Sequence, residues 1–165
     1  MDWARAYAKQ GKSDLAVYDA LKKLRTDGTL AADCHELHYF QMALEKIGKA
    51  YVLRFANAQI QNHRSSHDVA KAFMQNVQKD PAFKSILGTN QSLSKEVRSL
   101  ATALEQLAPA VERESNPRNC EYPWSDGSMI TVPVDVGFRA TWTFSFNAEL
   151  TLRSLLQDVA EKCVK

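Results

Sequence analysis

The histidines and their neighbouring carboxylates are the first candidates for chemistry in this sequence. The stretch HELH places His35 and His38 three residues apart, with Glu36 between them. A catalytic zinc helix needs two histidines four residues apart, so that both imidazoles face the metal, and a glutamate beside the first. His63 and His67 have that spacing, but no carboxylate lies between them. Because zinc needs a complete ligand set, we expect no metal site and no cofactor.

The cysteines and glycines offer little further chemistry. Cys34, Cys120 and Cys163 are scattered and form no Cys-x-x-Cys spacing, which favours free structural thiols over a disulfide framework. Arg118 could lower the pKa of Cys120, but no histidine lies near this cysteine in the sequence. The six glycines form no phosphate-binding loop motif.

The composition is that of one globular domain, spanning residues 1–165. Hydrophobic residues make up 45% and charged residues 24%, and the net charge of +2 is too small to indicate nucleic-acid binding by itself. The start, MDWARAYAKQGKSD, lacks the apolar region of a secretion signal. No stretch approaches the roughly 20 apolar residues that a membrane span needs. We therefore expect a cytoplasmic protein that does not associate with membranes.

Apolar residues at steps of three and four predict an all-α bundle of about four to six helices. Gly11 lies on the first apolar stripe, where it either permits a close helix approach or ends the helix so that Ser13 caps another. Asp33 and Glu36 have the form of a capping box that opens the second helix. The stripe of this helix consists of Leu37, Phe40, Leu44, Ile47 and Tyr51.

Later segments predict two short features and a final helix. Asp80-Pro81 indicates the start of a short helix that Gly88 ends. Between residues 114 and 140 an irregular excursion contains three of the five prolines, an Asp-Gly turn and a β-branched run. This pattern predicts an ordered loop or small hairpin. The aromatic and aliphatic side chains expected to be buried there are Tyr122, Trp124 and Ile130, and the last helix is expected to start near Asn147.

The stretch LHYFQMALEKIGKAYVLR resembles the second helix of HEPN domains, small α-bundles found alone or beside minimal nucleotidyltransferases. The run that carries the resemblance is Gln-x-Ala-x-Glu-Lys-x-x-Lys-Ala, present here as Gln41, Ala43, Glu45, Lys46, Lys49 and Ala50. HDV at 67–69 and EYPW at 121–124 are similar to further pieces of the family in the same order. The whole chain looks closest to uncharacterised bacterial members.

The resemblance implies an up-and-down bundle that forms a homodimer and binds a nucleotide, an RNA segment or a nucleotidyltransferase-type partner. The candidate contacts are Gln41, Glu45, Lys46, Lys49, Asp68, Tyr122 and Trp124. Simpler interpretations remain open for most of them. The three charges on the second helix could form a solvated face with i,i+4 pairing. Asp68 could stabilise a helix N-terminus, and the two aromatic residues could plug the core.

Catalytic HEPN proteins are metal-independent ribonucleases, which gives an alternative function. They resemble one another in an Arg-x4–6-His motif, in which the arginine holds phosphate and the histidine moves protons. No histidine of this chain follows an arginine at that spacing. Arg64 and His67 form an irregular pair that could share one helical face. We therefore expect a non-catalytic binding module, with a ribonuclease toxin or defence effector, or a ligand-free scaffold, as the alternatives.

Overall fold

Six helices form an all-α bundle in the computed structural model, which describes residues 2–56, 69–109, 118–126 and 129–165. The helices are α1 (Trp3–Thr26), α2 (Cys34–Phe55), α3 (Val69–Val77), α4 (Pro81–Leu87), α5 (Gln91–Glu105) and α6 (Phe146–Val164). The excursion before α6 contains an antiparallel hairpin of β1 (Trp124–Asp126) and β2 (Met129–Thr131), followed by two single-turn 3-10 helices at Pro133–Asp135 and Arg139–Thr141. Among the described residues, no helix combines the length and apolar character of a membrane span.

Helix α2 is the centre of the bundle and contacts α1, α3, α5 and α6. Its predicted apolar stripe is buried along its whole length, which confirms that prediction. Each large apolar side chain buried in this way contributes roughly 1.5–3 kcal/mol relative to an exposed one. Tyr51 packs edge-on against Phe73 of α3 and Phe83 of α4, so one aromatic ring joins three helices.

Helix α1 runs unbroken through Gly11 and crosses α2 at close range. A Cβ at this position would lie 2.6 Å from Cγ1 of Ile47 and 3.2 Å from its backbone nitrogen. Gly11 therefore permits a close helix approach, and Ser13 does not cap a second helix.

We expect Gly11→Ala to lower the free energy of unfolding by up to about 2 kcal/mol. Overpacking against Ile47 costs about 1–3 kcal/mol, and the better helix propensity of alanine returns only about 1 kcal/mol. Urea unfolding measures the difference. Gly137→Ala is the control, because its Cβ would lie at an ordinary 3.5 Å from Ala140. A Gly11→Ala protein more stable than the wild type would contradict the close crossing.

The short α4 begins and ends at its predicted signals. Oδ1 of Asp80 accepts a hydrogen bond from the backbone N–H of Ala82, and Gly88 takes the positive φ of 66° after α4. Oδ1 of Asn90 then accepts from the backbone N–H of Leu93 at the start of α5. Helix α5 ends at Glu105.

Asp33 precedes α2 as predicted, but the predicted capping box is wrong. Its carboxylate accepts hydrogen bonds from the backbone N–H groups of Phe138 (3.2 Å) and Arg139 (2.7 Å) and none from α2. Glu36 binds the side chains of Arg25 and Arg139. The excursion folds back over the start of α2 and supplies backbone N–H groups to Asp33 and the guanidinium of Arg139 to Glu36, and a carboxylate binds the charged guanidinium more strongly than a neutral N–H.

The hairpin pairs Ser125 with Ile130 in register, and it is only partly buried. Trp124 packs against Phe138 with ring centroids 6.2 Å apart. Ile130 is 77% exposed, so the prediction that it is buried is wrong. A hairpin with two strands of three residues has too little surface to cover every apolar side chain it carries.

Candidate functional site

Three residues of the HEPN-like run form a buried row on α2. Nε2 of Gln41 donates to Oε2 of Glu45 (3.2 Å), and Nζ of Lys49 donates to Oε1 of Glu45 (2.7 Å). All three are buried, and the ammonium group of Lys49 lies 5.8 Å from the ring centre of Tyr7 on α1. The predicted i,i+4 pairing is confirmed for Glu45 and Lys49. The interpretation that they lie on a solvated face is wrong, because both are buried. A buried ion pair persists only where both charges are compensated, as they are here.

Lys46 does not join this row. Its Nζ lies 2.7 Å from Oδ2 of Asp14 on α1, and Oδ1 of the same carboxylate accepts from Gln10 (3.2 Å). Lys46 is therefore bound to α1, and the four polar residues of the run do not form one site.

The other predicted contacts are also dispersed. Arg64, His67 and Asp68 lie outside the described residues. Trp124 is partly buried, in agreement with a role in filling the core. Tyr122 is 55% exposed, so the interpretation that it fills the core is wrong. Oδ1 of Asn119 accepts the backbone N–H of Tyr122 (2.7 Å) and fixes the loop in this turn.

A buried charge cluster that sequence reasoning missed joins the excursion to the helices. Its members are Tyr18, Lys22, Arg25, Glu36, Arg139 and Glu149. Arg139 binds Glu149 through two parallel hydrogen bonds of 2.8 and 2.9 Å and also donates to Glu36. Glu36 is fully buried, and 103 positions separate it from Arg139, so no local pattern could have indicated the pair.

The protonation states of Glu149 and Tyr18 suit a cluster that holds the excursion against the helices. Burial by itself would raise the pKa of Glu149, but hydrogen bonds from Arg139, Lys22 and Tyr18 outweigh burial and lower the pKa to about 2. Burial and the charge of Glu149 raise the pKa of Tyr18 well above its usual range. Neither group exchanges a proton near neutral pH, so the cluster stabilises the fold and is unsuited to acid–base catalysis.

The low pKa of Glu149 makes the stability of the fold depend on pH. Because the folded-state pKa of Glu149 lies below the usual 4.5, its contribution is present above about pH 4.5 and lost as the pH falls towards 2. That contribution is on the order of 3 kcal/mol. We expect Glu149→Gln to be less stable at pH 7 and to lose less stability on acidification, as measured by urea unfolding at several pH values. The exposed Asp135→Asn should keep the wild-type slope. An equally steep slope in Glu149→Gln would contradict this account.

A groove between α4 and α5, which we call the basic groove, is lined by charged and polar side chains and is open to solvent. It encloses about 500 Å³, and its cations are Lys84 of α4 and Lys95 and Arg98 of α5. Short polar side chains complete much of its lining, namely Thr89, Asn90, Gln91, Ser92 and Ser94. Among the described residues that line it, none is acidic and none is aromatic.

The carboxylates closest in sequence to the basic groove are engaged elsewhere. Asp80 accepts hydrogen bonds from Tyr51 Oη (3.1 Å) and from the start of α4. Glu96 accepts from Oγ of Ser145 (3.0 Å) at the start of α6. Across the described ranges, none of the three groove cations forms an ion pair. Their positive charge is therefore available to an anionic ligand.

The thiols and the carboxylates form no further site in the described part of the chain. All three cysteines are free and buried, and burial raises the pKa of Cys120, so the suggested lowering by Arg118 is wrong. No group of three histidine, cysteine or acidic side chains is arranged to hold a metal ion among the residues that the structure describes.

The comparisons with known proteins add no relative to this picture. No protein-family model, curated protein or solved structure matches the chain.

Proposed function

We propose that this chain is a non-catalytic binding module for a phosphate-bearing ligand, a nucleotide or an RNA segment, held in the basic groove. The observation that carries the proposal is the convergence of Lys84, Lys95 and Arg98 on one concave surface whose described lining holds no carboxylate. Uncompensated cations in a groove concentrate anions at its surface and strengthen binding to phosphate oxygens.

The start of α5 adds to the attraction for phosphate. Gln91 and Ser92 stand in the first turn of this 15-residue helix, within the groove lining. The backbone N–H groups of a first helical turn carry partial positive charge and suit an anion. The hydroxyl and amide side chains beside them can donate further hydrogen bonds.

The same lining favours binding over catalysis. Its polar groups are ammonium, guanidinium, hydroxyl and amide groups, and the residues described for this lining include no histidine or carboxylate that could serve as a general base. The ribonuclease alternative therefore rests on Arg64 and His67, outside the described residues. The homodimer and the nucleotidyltransferase-type partner stay predictions that rest on the HEPN resemblance.

Incubation of the protein with labelled single-stranded RNA in EDTA separates the two functions. We expect fluorescence anisotropy to show binding by the wild type and by His67→Ala, and denaturing gels to show intact RNA in both. A nucleotide at 100-fold above its dissociation constant should add about 2.7 kcal/mol to stability in thermal unfolding. RNA cleavage by the wild type that His67→Ala abolishes would overturn the proposal in favour of a ribonuclease.

A further inference from the structure

We infer that the basic groove selects a chain of linked phosphates and does not read the bases attached to it. The inference rests on the proposed function, namely that this groove binds a phosphate-bearing ligand. The part of the ligand that the groove recognises is its linked phosphates.

The cations are distributed in a way that suits several phosphates. Lys84 stands on α4, whereas Lys95 and Arg98 stand about one turn apart on α5, so the charges border the groove from two helices. A volume of about 500 Å³ is in the range of sites that hold whole organic molecules, and it is open to solvent. Cations on both helices of an open groove can each contact a different phosphate of one ligand.

The described lining has no ring on which a base could stack, and two of its amide side chains, Gln78 and Asn90, already bind Ser94 and the backbone N–H of Leu93. Nucleobases are bound without sequence preference by stacking on aromatic rings, and they are distinguished by hydrogen bonds and apolar contacts to their edges. The described lining contains no aromatic ring, and its largest apolar side chain is Leu87. Lys84, Lys95 and Arg98 are exposed and carry long flexible chains, so they suit the mobile oxygens of a phosphate chain.

Two sources share this chemistry, the backbone of a nucleic acid and an inorganic polyphosphate chain. Both present consecutive phosphate charges, and neither needs a base contact. The groove is expected to bind both, and a competition experiment separates them.

The test uses the full chain and a labelled 20-residue oligouridylate, followed by anisotropy. Oligoadenylate should compete within about threefold of oligouridylate at equal phosphate concentration, and UMP should compete more than tenfold less well. Inorganic polyphosphate should also compete. Whichever of polyphosphate and RNA binds more tightly is the preferred source of the phosphate chain. The logarithm of the association constant should fall with the logarithm of salt concentration with a slope of about −2, because about 0.7 counterion is released per contact on a single strand.

Lys84→Ala should reduce that slope to about −1.4, and the exposed Lys9→Ala of α1 should leave it unchanged. Competition by UMP as strong as that of the oligomer, or a preference above tenfold for one base, would overturn the inference while leaving the proposed function intact. Failure of every phosphate compound to bind would overturn both.

Discussion

Arg139→Met is expected to lower the free energy of unfolding by about 3–5 kcal/mol. The substitution removes the guanidinium that binds Glu149 with two hydrogen bonds and Glu36 with another. Glu36 is fully buried, so its charge would keep only Arg25 as a charged partner. The excursion would lose its ion pairs with α2 and α6, and urea unfolding at pH 7 measures the cost.

Arg153→Met is the matched control for this variant. Arg153 also binds a carboxylate, with Nη2 lying 2.6 Å from Oδ2 of Asp19, but both side chains of this pair are about one-third exposed. A pair in contact with water contributes less than about 1 kcal/mol. A loss in Arg139→Met no larger than the loss in Arg153→Met would contradict the role of the charge cluster as a clamp.

Joint replacement of Lys95 and Arg98 by alanine is expected to weaken binding of single-stranded RNA about tenfold or more at moderate salt. The variant removes two of the three cations of the basic groove. Both side chains are exposed and form no ion pair in the described part of the chain, so stability should change by less than about 0.5 kcal/mol per position. Anisotropy titrations measure the affinity.

Arg5→Ala with Lys9→Ala gives the control with an equal change of net charge. Both residues are exposed on α1, outside the basic groove. Equal losses of affinity in the two double variants would mean that RNA responds to net charge alone, and the groove would then have no special part in binding.

Local sequence signals predicted the helices well, because each signal reports on neighbouring residues. The apolar stripe from Leu37 to Tyr51 indicated α2, and Asp80 with Gly88 indicated the two ends of α4. Gly11 left two interpretations open. Only the position of Ile47 on a different helix decides between them.

Contacts between distant segments escaped prediction for a physical reason. Asp33 and Glu36 have the spacing of a capping box, yet Arg139 and its backbone offer charge-assisted partners that exist only once the excursion folds back. Likewise, the polar character of Glu45 and Lys49 indicates exposure, whereas their mutual pairing and the hydrogen bond from Gln41 make burial tolerable.

The candidate site was harder to predict than the fold. The HEPN-like run directed attention to α2, where Gln41, Glu45 and Lys49 are buried. The basic groove combines Lys84 with two cations on the following helix, and this combination depends on the angle between two helices. The spacing of Lys95 and Arg98, one turn apart with polar residues before them, was the only local signal.

Mapping of backbone amide shifts tests the central claim most directly. A ¹H–¹⁵N correlation spectrum of the full chain is recorded during titration with an oligouridylate in EDTA. Binding in the basic groove predicts the largest shift changes between Leu87 and Arg98, together with Lys84. Largest changes along α2 from Gln41 to Lys49, or in residues 64–68 with none in the groove, would contradict the proposed site.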